Sequence, residues 1–112
     1  MKKQNMEEEN KKVIAVDFDG VLHEFKEGWT GEIPEGKPIK DSLWAIKELT
    51  NKGFSVIVYT SRTNLEAVSF WLRQNGFPAL EVTNYKPVAI AYIDDRGIRF
   101  ENNWESIVKY FI

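Results

Sequence analysis

The chain has 112 residues, of which 43% are hydrophobic and 29% are charged, and its formal net charge at pH 7 is -2. This size and composition predict one globular domain with a single core, and the small net charge gives no support for nucleic-acid binding through bulk charge. With no cysteine and one histidine, the chain has no disulfide, thiolate metal site, cysteine nucleophile or multi-histidine metal centre of its own.

The N-terminal residues predict a charged tail ahead of the domain. Residues 1–12 are almost entirely polar, which is typical of a flexible segment, and binding of a partner is the alternative. They lack the apolar core of a signal peptide, and no apolar run approaches the roughly 20 residues that span a bilayer. We therefore expect a cytoplasmic protein with one domain over residues 13–112.

The organising stretch of the chain is a short apolar run that ends in acids. Residues 13–16 are all apolar, which predicts a strand buried on both faces, as in a parallel sheet. Asp17 and Asp19 are two positions apart, so on a strand they share a face, while Phe18 points into the core. Gly20 permits a sharp turn and a close approach to a ligand.

The acids at this strand end predict a cation site. Two carboxylates this close need a compensating cation, and Mg2+ commonly binds through one or two carboxylates together with phosphate and water. We therefore interpret the stretch as a magnesium site for phosphate chemistry. The pattern of two acids before a glycine also occurs in calcium loops. The rest of the chain therefore has to distinguish a magnesium site from a calcium loop.

The segment over residues 21–38 is rich in glycine and proline, which predicts a loop or short hairpin over the strand ends. Trp29 either forms a wall over the substrate or anchors the hairpin to its own domain. His23 either reaches the site as an acid or base or belongs to local structure.

Strands and helices alternate along the rest of the chain. Apolar residues at helical spacing, with Gly53 and Gly76 as stops, mark the first two helices. The alternation predicts an α/β fold, a three-layer Rossmann-like parallel sheet with helices on both faces. The predicted elements are a helix over 39–52, a strand over 54–59, a helix over 64–75, a strand over 80–83, a turn at 85–87, a strand over 89–93, an edge strand over 98–100 and a helix capped by Asn103.

Three predicted strands end in polar residues that meet at one edge of a parallel sheet. That edge would carry carboxylates, hydroxyls and, just before the third strand, an ammonium group. Ligands of open α/β sheets bind at the carboxyl ends of the strands. The residues are Asp17 and Asp19, Thr60 and Ser61, and Asp94 and Asp95, with Lys86 before the last pair.

Phosphoryl transfer to a carboxylate uses this set of groups. Both the phosphate and its nucleophile are anionic, so Mg2+ held by Asp17 and Asp94, together with Lys86, would cancel their repulsion. The Thr60 hydroxyl would donate to a phosphate oxygen, and backbone N–H groups near Asp17 and Ser61 would add donors. Attack by Asp17 would give an aspartyl-phosphate, with Asp19 as general acid and base.

The four segments together resemble the motifs of the haloacid dehalogenase (HAD) superfamily. They are Asp17-Phe-Asp-Gly-Val, Tyr59-Thr-Ser-Arg, Lys86-Pro and Tyr92-Ile-Asp-Asp-Arg, in the family's order and spacing. The resemblance spans residues 13–100 and implies a Rossmann-like core and Mg2+. The second acid of the first motif, Asp19, favours phosphoester chemistry over dehalogenation.

The resemblance implies a role for each motif residue. Asp17 is the nucleophile and a metal ligand, and Asp19 is the acid and base whose backbone carbonyl also binds the metal. Thr60 and Lys86 hold the phosphate. Apart from the resemblance, we expect Gly20, Ser61 and Arg62 to contact the phosphate or the substrate. Asp94 is a metal ligand, and Asp95 is an outer metal or water partner.

The sequence leaves no room for the cap domain that many HAD proteins carry. Both family insertion points, residues 20–38 and 83–86, are too short. A cap-free protein of this kind takes a large substrate that covers the site, or another subunit covers it. The phosphorylated substrate stays unidentified, with nucleic acid expected only as a substrate.

Several alternatives stay open at this point. A receiver-like signalling module also uses acids, a hydroxyl and a lysine, but its acid pair follows the first strand. A catalytically silent binding protein on the same fold is the other. Arg62 either steers the substrate or pairs with an acid such as Asp95. In the plainer interpretation, Thr60 or Ser61 only caps a helix. Lys86 is then a surface lysine, and Arg96 is structural.

Overall fold

A computed structural model describes residues 12–25, 33–94 and 97–112. Trp29, Asp95, Arg96 and residues 1–11, on which several of the predictions fall, lie outside the described residues. The elements in chain order are β1 (Val13–Asp17), α1 (Ser42–Asn51), β2 (Ser55–Tyr59), α2 (Leu65–Gln74), β3 (Glu81–Thr83), β4 (Ala91–Asp94), β5 (Ile98–Arg99) and α3 (Trp104–Phe111).

The five strands form one parallel sheet with β1 at its centre. Their order is β3-β2-β1-β4-β5, and each neighbouring pair is parallel. The register pairs Val13 with Ser55 and Asp17 with Tyr59 along β1 and β2. The predicted α/β class with a Rossmann-like parallel sheet is therefore confirmed.

The core lies between one face of the sheet and the helices. Alternate strand residues face opposite sides, so Ile14 and Val16 share a face, and their buried cluster includes side chains of α1, α2 and α3. Trp71 and Trp104 belong to this cluster, as predicted, and are 7% and 1% exposed. Within the described residues, all three helices thus pack on one face of the sheet.

The opposite face of the sheet meets the connection between β3 and β4. Val13 and Ala15 are buried but do not belong to the main cluster. Tyr92 lies beside Ala15 in the register, and its hydroxyl donates to the Pro87 carbonyl at 2.7 Å. Of the helix layers predicted on both faces, the described residues show one.

The ends of the elements differ from the prediction by a few residues. Helix α1 begins three positions later than predicted, after Asp41, whose φ of 68° is left-handed. Asn64 caps α2 as predicted and accepts from the Ala67 N–H at 3.1 Å. Asn103 does not cap α3 through its side chain; that side chain accepts instead from the Glu101 N–H at 2.6 Å.

The first strand begins at Val13, as predicted, and one hydrogen bond extends the contact to the preceding residue. The carbonyl of Lys12, assigned to the tail, accepts a hydrogen bond from the Ser55 N–H at 2.9 Å. The described part of the chain contains no helix with the length and apolar character to cross a membrane.

Candidate functional site

The carboxyl ends of β1 and β4 place two acids side by side. Asp17 is the last residue of β1 and Asp94 is the last residue of β4. The parallel register pairs Val16 with Ile93, so the next position on each strand holds an aspartate. Neighbouring strands lie about 4.8 Å apart, and in-register residues share a face. The structure therefore brings these two carboxylates together.

A tight turn directly after β1 orients Asp17. The Phe18 N–H donates to Asp17 Oδ1 at 2.8 Å, and the Phe18 ring is fully buried, as predicted. Gly20 adopts a left-handed φ of 82°, which favours a residue without a side chain. The chain then folds back, because the Phe18 carbonyl accepts from the Leu22 N–H at 2.9 Å and the His23 N–H at 3.0 Å.

Asp94 is a buried carboxylate that receives several donors. Its side chain accepts from the Tyr59 hydroxyl, from Lys86 Nζ at 3.3 Å and from the Gly97 N–H at 2.6 Å. A buried carboxylate is stable when such donors surround it. A side chain at Gly97 would collide with the Tyr92 carbonyl, since its Cβ would lie 2.2 Å from that oxygen.

Lys86 lies at the boundary between this cluster and solvent. Its side chain is 50% exposed, and its ammonium lies 4.5 Å from the Tyr92 ring centroid and 5.7 Å from that of Tyr59. Aromatic faces attract a cation at such distances. The two rings and Asp94 therefore hold the ammonium at the carboxyl edge of the sheet, as the prediction required.

Thr60 lies directly after β2 at the same edge. It is 4% exposed, and its N–H donates to the Thr83 carbonyl at 3.0 Å. Its hydroxyl oxygen accepts from the Arg62 N–H at 3.2 Å, so the hydroxyl hydrogen can still be donated. Ser61 is exposed and lies on the surface beside this turn.

Arg62 forms an ion pair with Asp19, so neither side chain has the surroundings that the sequence predicted. Arg62 Nε donates to Asp19 Oδ2 at 2.8 Å and Nη2 donates to Oδ1 at 3.1 Å. Of the two predicted roles of Arg62, the structure therefore favours pairing with an acid, but that acid is Asp19. The predicted partner Asp95 lies outside the described residues.

The environment of Asp19 favours its ionised form. Burial raises the pKa of this carboxyl, but the hydrogen bonds from His23 and Arg62 and the Arg62 charge outweigh it and hold the pKa below its ordinary value. A residue that acts as a general acid needs a proton near the working pH. In the substrate complex, the Arg62 pair would have to loosen before Asp19 could supply that proton.

The Arg62 pair predicts a pH-dependent contribution to stability. Because the folded protein lowers the pKa of Asp19, this contribution is complete above the ordinary value of about 3.9 and is lost as the pH falls through the lower folded value. We expect Arg62→Met to destabilise the fold at neutral pH, and the difference from wild type to shrink below about pH 4.

Urea unfolding at several pH values measures this difference. The matched control is Arg73→Met, which removes an exposed arginine that lies over the Phe70 ring and should give a difference that does not depend on pH. An Arg62→Met difference that stays constant into acid would contradict the assignment.

His23 lies beneath the site rather than in it. The imidazole is fully buried, and Nδ1 lies 2.8 Å from Asp19 Oδ1. This burial removes the alternative in which His23 itself exchanges protons with a substrate. Of the two predicted roles of His23, the structure favours the one in local structure. The contact between His23 and Asp19 nevertheless links this histidine to a predicted catalytic residue.

The predicted metal ligands fall into two groups. Among the described residues, no three histidine or acidic side chains form a metal-binding cluster. Asp17 and Asp94 are adjacent, whereas the Asp19 carboxylate is occupied by Arg62 and His23, and Asp95 lies outside the described residues. Two neighbouring carboxylates suffice for Mg2+, which retains several waters, so Asp17 and Asp94 fit the ion, and Asp19 would contribute only its carbonyl.

Two tyrosines that lie beside Asp94 and Lys86 were not predicted as part of the site from the sequence. Tyr59 pairs in register with Asp17, and Tyr92 is two positions before Asp94. Strand alternation therefore places each ring on the face that carries the acids. That signal was present in the sequence, but the aromatic residues were interpreted only as parts of motifs.

The described residues also form a groove away from this edge. Its volume is about 670 Å³, and it lies between α1 and α3, where Trp44, Val108 and Ile112 are among the lining residues. The groove contains none of the predicted site residues, so it is not part of the candidate site.

Comparison with known proteins supports the fold. Scans against protein-family models and against curated proteins find no match for this chain. Among solved structures, the chain is similar to a conserved protein from Bacteroides thetaiotaomicron, with a TM-score of 0.72 and 25% sequence identity. The similarity covers 91% of this chain and 90% of the other, so the two proteins share a fold over most of their length.

Proposed function

We propose that the protein is a Mg2+-dependent phosphohydrolase of the HAD type that works through an aspartyl-phosphate on Asp17. The observation that supports this proposal most strongly is the position of Asp17 and Asp94, each one residue beyond the registered pair Val16 and Ile93 at the carboxyl edge of the sheet, with Lys86 bound to Asp94. The four sequence motifs that resemble the HAD superfamily supply these residues, and the shared edge of the sheet is where α/β proteins bind ligands.

In the proposed first step, Asp17 attacks the phosphorus atom of a phosphate ester. The Phe18 N–H holds the carboxylate in one orientation, and the Lys86 ammonium reduces the repulsion between two anions. Thr60 donates its hydroxyl hydrogen to a phosphate oxygen. The ester P–O bond breaks, and Asp19, which has taken up a proton after its Arg62 pair opened, gives that proton to the departing alkoxide.

In the second step, Asp19 acts as a base. Its carboxylate takes a proton from water as the water oxygen attacks the phosphorus of the aspartyl-phosphate. The bond between phosphorus and Asp17 then breaks, inorganic phosphate leaves, and both aspartates return to their starting forms. Mg2+, held by Asp17, Asp94 and the Asp19 carbonyl, would supply charge neutralisation at the phosphate.

The proposed substrate is a phosphate ester that reaches an edge of the sheet without a cap domain. Caps exclude water and select substrates in enzymes of this kind. We propose that a bulky phosphorylated molecule, or a second copy of the chain, provides this cover. A nucleic acid would enter this scheme only as a substrate.

The test is phosphate release from an aryl phosphate in the presence of Mg2+. We expect Asp17→Asn to reduce the rate by at least about 10³-fold, since the nucleophile is removed, and a chelator to abolish release by the wild type. The matched control is Glu81→Gln, which neutralises an exposed acid at the amino end of the edge strand β3, away from the candidate site, and should leave the rate unchanged. Equal rates for wild type and Asp17→Asn would refute the proposal.

A phospho-accepting module is the second candidate, and one observation favours it. Both oxygens of Asp19 are bound by Arg62, and a carboxylate held in this way is a poor base for hydrolysis of an aspartyl-phosphate. In that case, acetyl phosphate would produce a phosphoprotein that persists without turnover. Mass spectrometry after acetyl phosphate treatment distinguishes the two candidates.

A further inference from the structure

His23 connects the predicted acid and base Asp19 to the hairpin that follows β1. One ring nitrogen, Nδ1, lies 2.8 Å from Asp19 Oδ1, and the other, Nε2, accepts from the Gly36 N–H at 2.8 Å. The side chain is fully buried. A histidine whose two nitrogens contact an acid and a backbone donor has a defined protonation state.

The Gly36 contact decides which nitrogen carries the proton. A backbone N–H always donates, so Nε2 has to accept and cannot itself be protonated. The ring proton is then on Nδ1, where it is donated to Asp19. The Gly36 contact therefore makes Nδ1 the nitrogen that donates to Asp19 Oδ1.

Aromatic packing fixes the plane of the imidazole. The Phe18 ring stacks on it with centroids 5.0 Å apart and an angle of 1°, and the Trp71 ring meets it edge-on at 5.1 Å. Trp71 Nε1 donates to the Gly36 carbonyl at 2.9 Å. The same tryptophan thus restrains both the ring and the peptide that binds it.

Residues 22–24 pair with residues 37–39, and this hairpin stem holds Gly36 in place. The Glu24 N–H donates to the Lys37 carbonyl and the Ile39 N–H donates to the Leu22 carbonyl, both at 2.9 Å. The backbone of His23 lies between these two hydrogen bonds and forms isolated β-bridges with Asp19 and Pro38. The hydrogen on Nδ1 therefore points at Asp19 from a rigid frame.

Building on the phosphohydrolase function proposed above, we propose that His23 is a positioning residue that fixes the orientation of the Asp19 carboxylate. Rotation about the last side-chain bond of aspartate is soft, so either oxygen could otherwise face the substrate. The hydrogen bond from His23 Nδ1 holds Asp19 Oδ1 in place. Oδ2, which is bound by Arg62 Nε at 2.8 Å, is then the oxygen that can exchange this partner for a proton.

Two substitutions separate this role from a purely structural one. The amide of Asn replaces Nδ1 in position, whereas the longer Gln places its amide where Nε2 was. His23→Asn therefore keeps a donor for Asp19 and loses the Gly36 contact, and His23→Gln does the reverse. Circular dichroism and urea unfolding establish that both variants are folded and how much stability each loses.

The rates with two esters measure the role of Asp19 in each variant. An alkyl phosphate needs a proton on its poor leaving group, whereas an aryl phosphate needs little help. We expect His23→Gln to lose about 10²-fold with the alkyl ester, the cost of a misplaced catalytic group, and much less with the aryl ester. His23→Asn should retain most of the wild-type rate with both esters. Equal losses in both variants, or no loss in either, would overturn the proposal.

A measurement without turnover keeps this test independent of the proposed function. His23 is the one histidine in the chain, so imidazole nitrogen NMR gives an unambiguous signal. We expect the Nδ1-protonated tautomer, and a change of its signal in Asp19→Asn. A proton on Nε2, or a signal that ignores Asp19→Asn, would refute the positioning role even if no ester is hydrolysed. Absence of hydrolysis by the wild type, with the expected NMR result, would count against the phosphohydrolase alone.

Discussion

Asp94→Asn is expected to lower kcat/KM for an aryl phosphate by about 10²- to 10³-fold, the usual cost of losing one preorganised charge. The carboxylate accepts from Tyr59, Lys86 and Gly97. An amide has one acceptor oxygen and one donor nitrogen, so any orientation turns a donor toward at least one of these groups. The substitution also removes one of the two charges proposed to hold Mg2+.

Titration with Mg2+ and steady-state kinetics check this expectation together. Affinity for the ion should fall along with activity, while circular dichroism should show a folded protein. Tyr59→Phe is the graded control, because it removes one hydroxyl donor to Asp94 and keeps the ring beside Lys86. We expect Tyr59→Phe to cost about 10-fold, typical of a group that orients a metal ligand. Unchanged Mg2+ affinity in Asp94→Asn would remove Asp94 from the proposed metal site.

Trp104→Ala is expected to destabilise the fold by about 3–5 kcal/mol, the range for truncating a large buried aromatic side chain. Trp104 is 1% exposed and packs against the Phe100 ring at a centroid distance of 5.3 Å. Its indole N–H also donates to the Val21 carbonyl at 3.2 Å. The substitution would therefore leave a cavity and a buried carbonyl that has lost its donor.

Chemical denaturation followed by circular dichroism measures this loss. Tyr110→Ala on the same helix is the matched control, since Tyr110 is 77% exposed and exposed substitutions usually cost less than about 0.5 kcal/mol. Similar unfolding free energies for Trp104→Ala and wild type would show that α3 contributes little to the core. If Tyr110→Ala lost as much stability as Trp104→Ala, the loss would reflect a general effect of substitution in α3 and not the burial of Trp104.

The parts of the fold that depend on local patterns were predictable from the sequence. Apolar runs of β-branched residues identified the strands, and helical spacing identified the buried positions Val68, Trp71 and Trp104. Parallel topology then placed Asp17, Thr60 and Asp94 at one edge, because the ends of parallel strands meet there. The bounds of the elements differ by a few residues, where backbone geometry such as that of Asp41 decides, and the described residues show one of the two predicted helix layers.

The parts of the site that depend on pairing between distant side chains were not predictable. Arg62 and Asp19 are 43 positions apart, and neither periodicity nor motif spacing relates them. The orientation of His23 depends on the fold of the hairpin back to Gly36, which brings a backbone donor to its second nitrogen. Such contacts follow from the tertiary arrangement, so a sequence pattern names the residues without naming their partners.

The order of the strands has a consequence for the synthesis of the protein. The chain lays down β1, β2 and β3 on one side of the sheet and then crosses to the other side of β1 to add β4 and β5. A nascent chain that has emerged only as far as Thr83 carries Asp17 and Thr60 but neither Lys86 nor Asp94. Synthesis therefore has to proceed through Asp94 before the ammonium group and the second carboxylate can join this edge of the sheet.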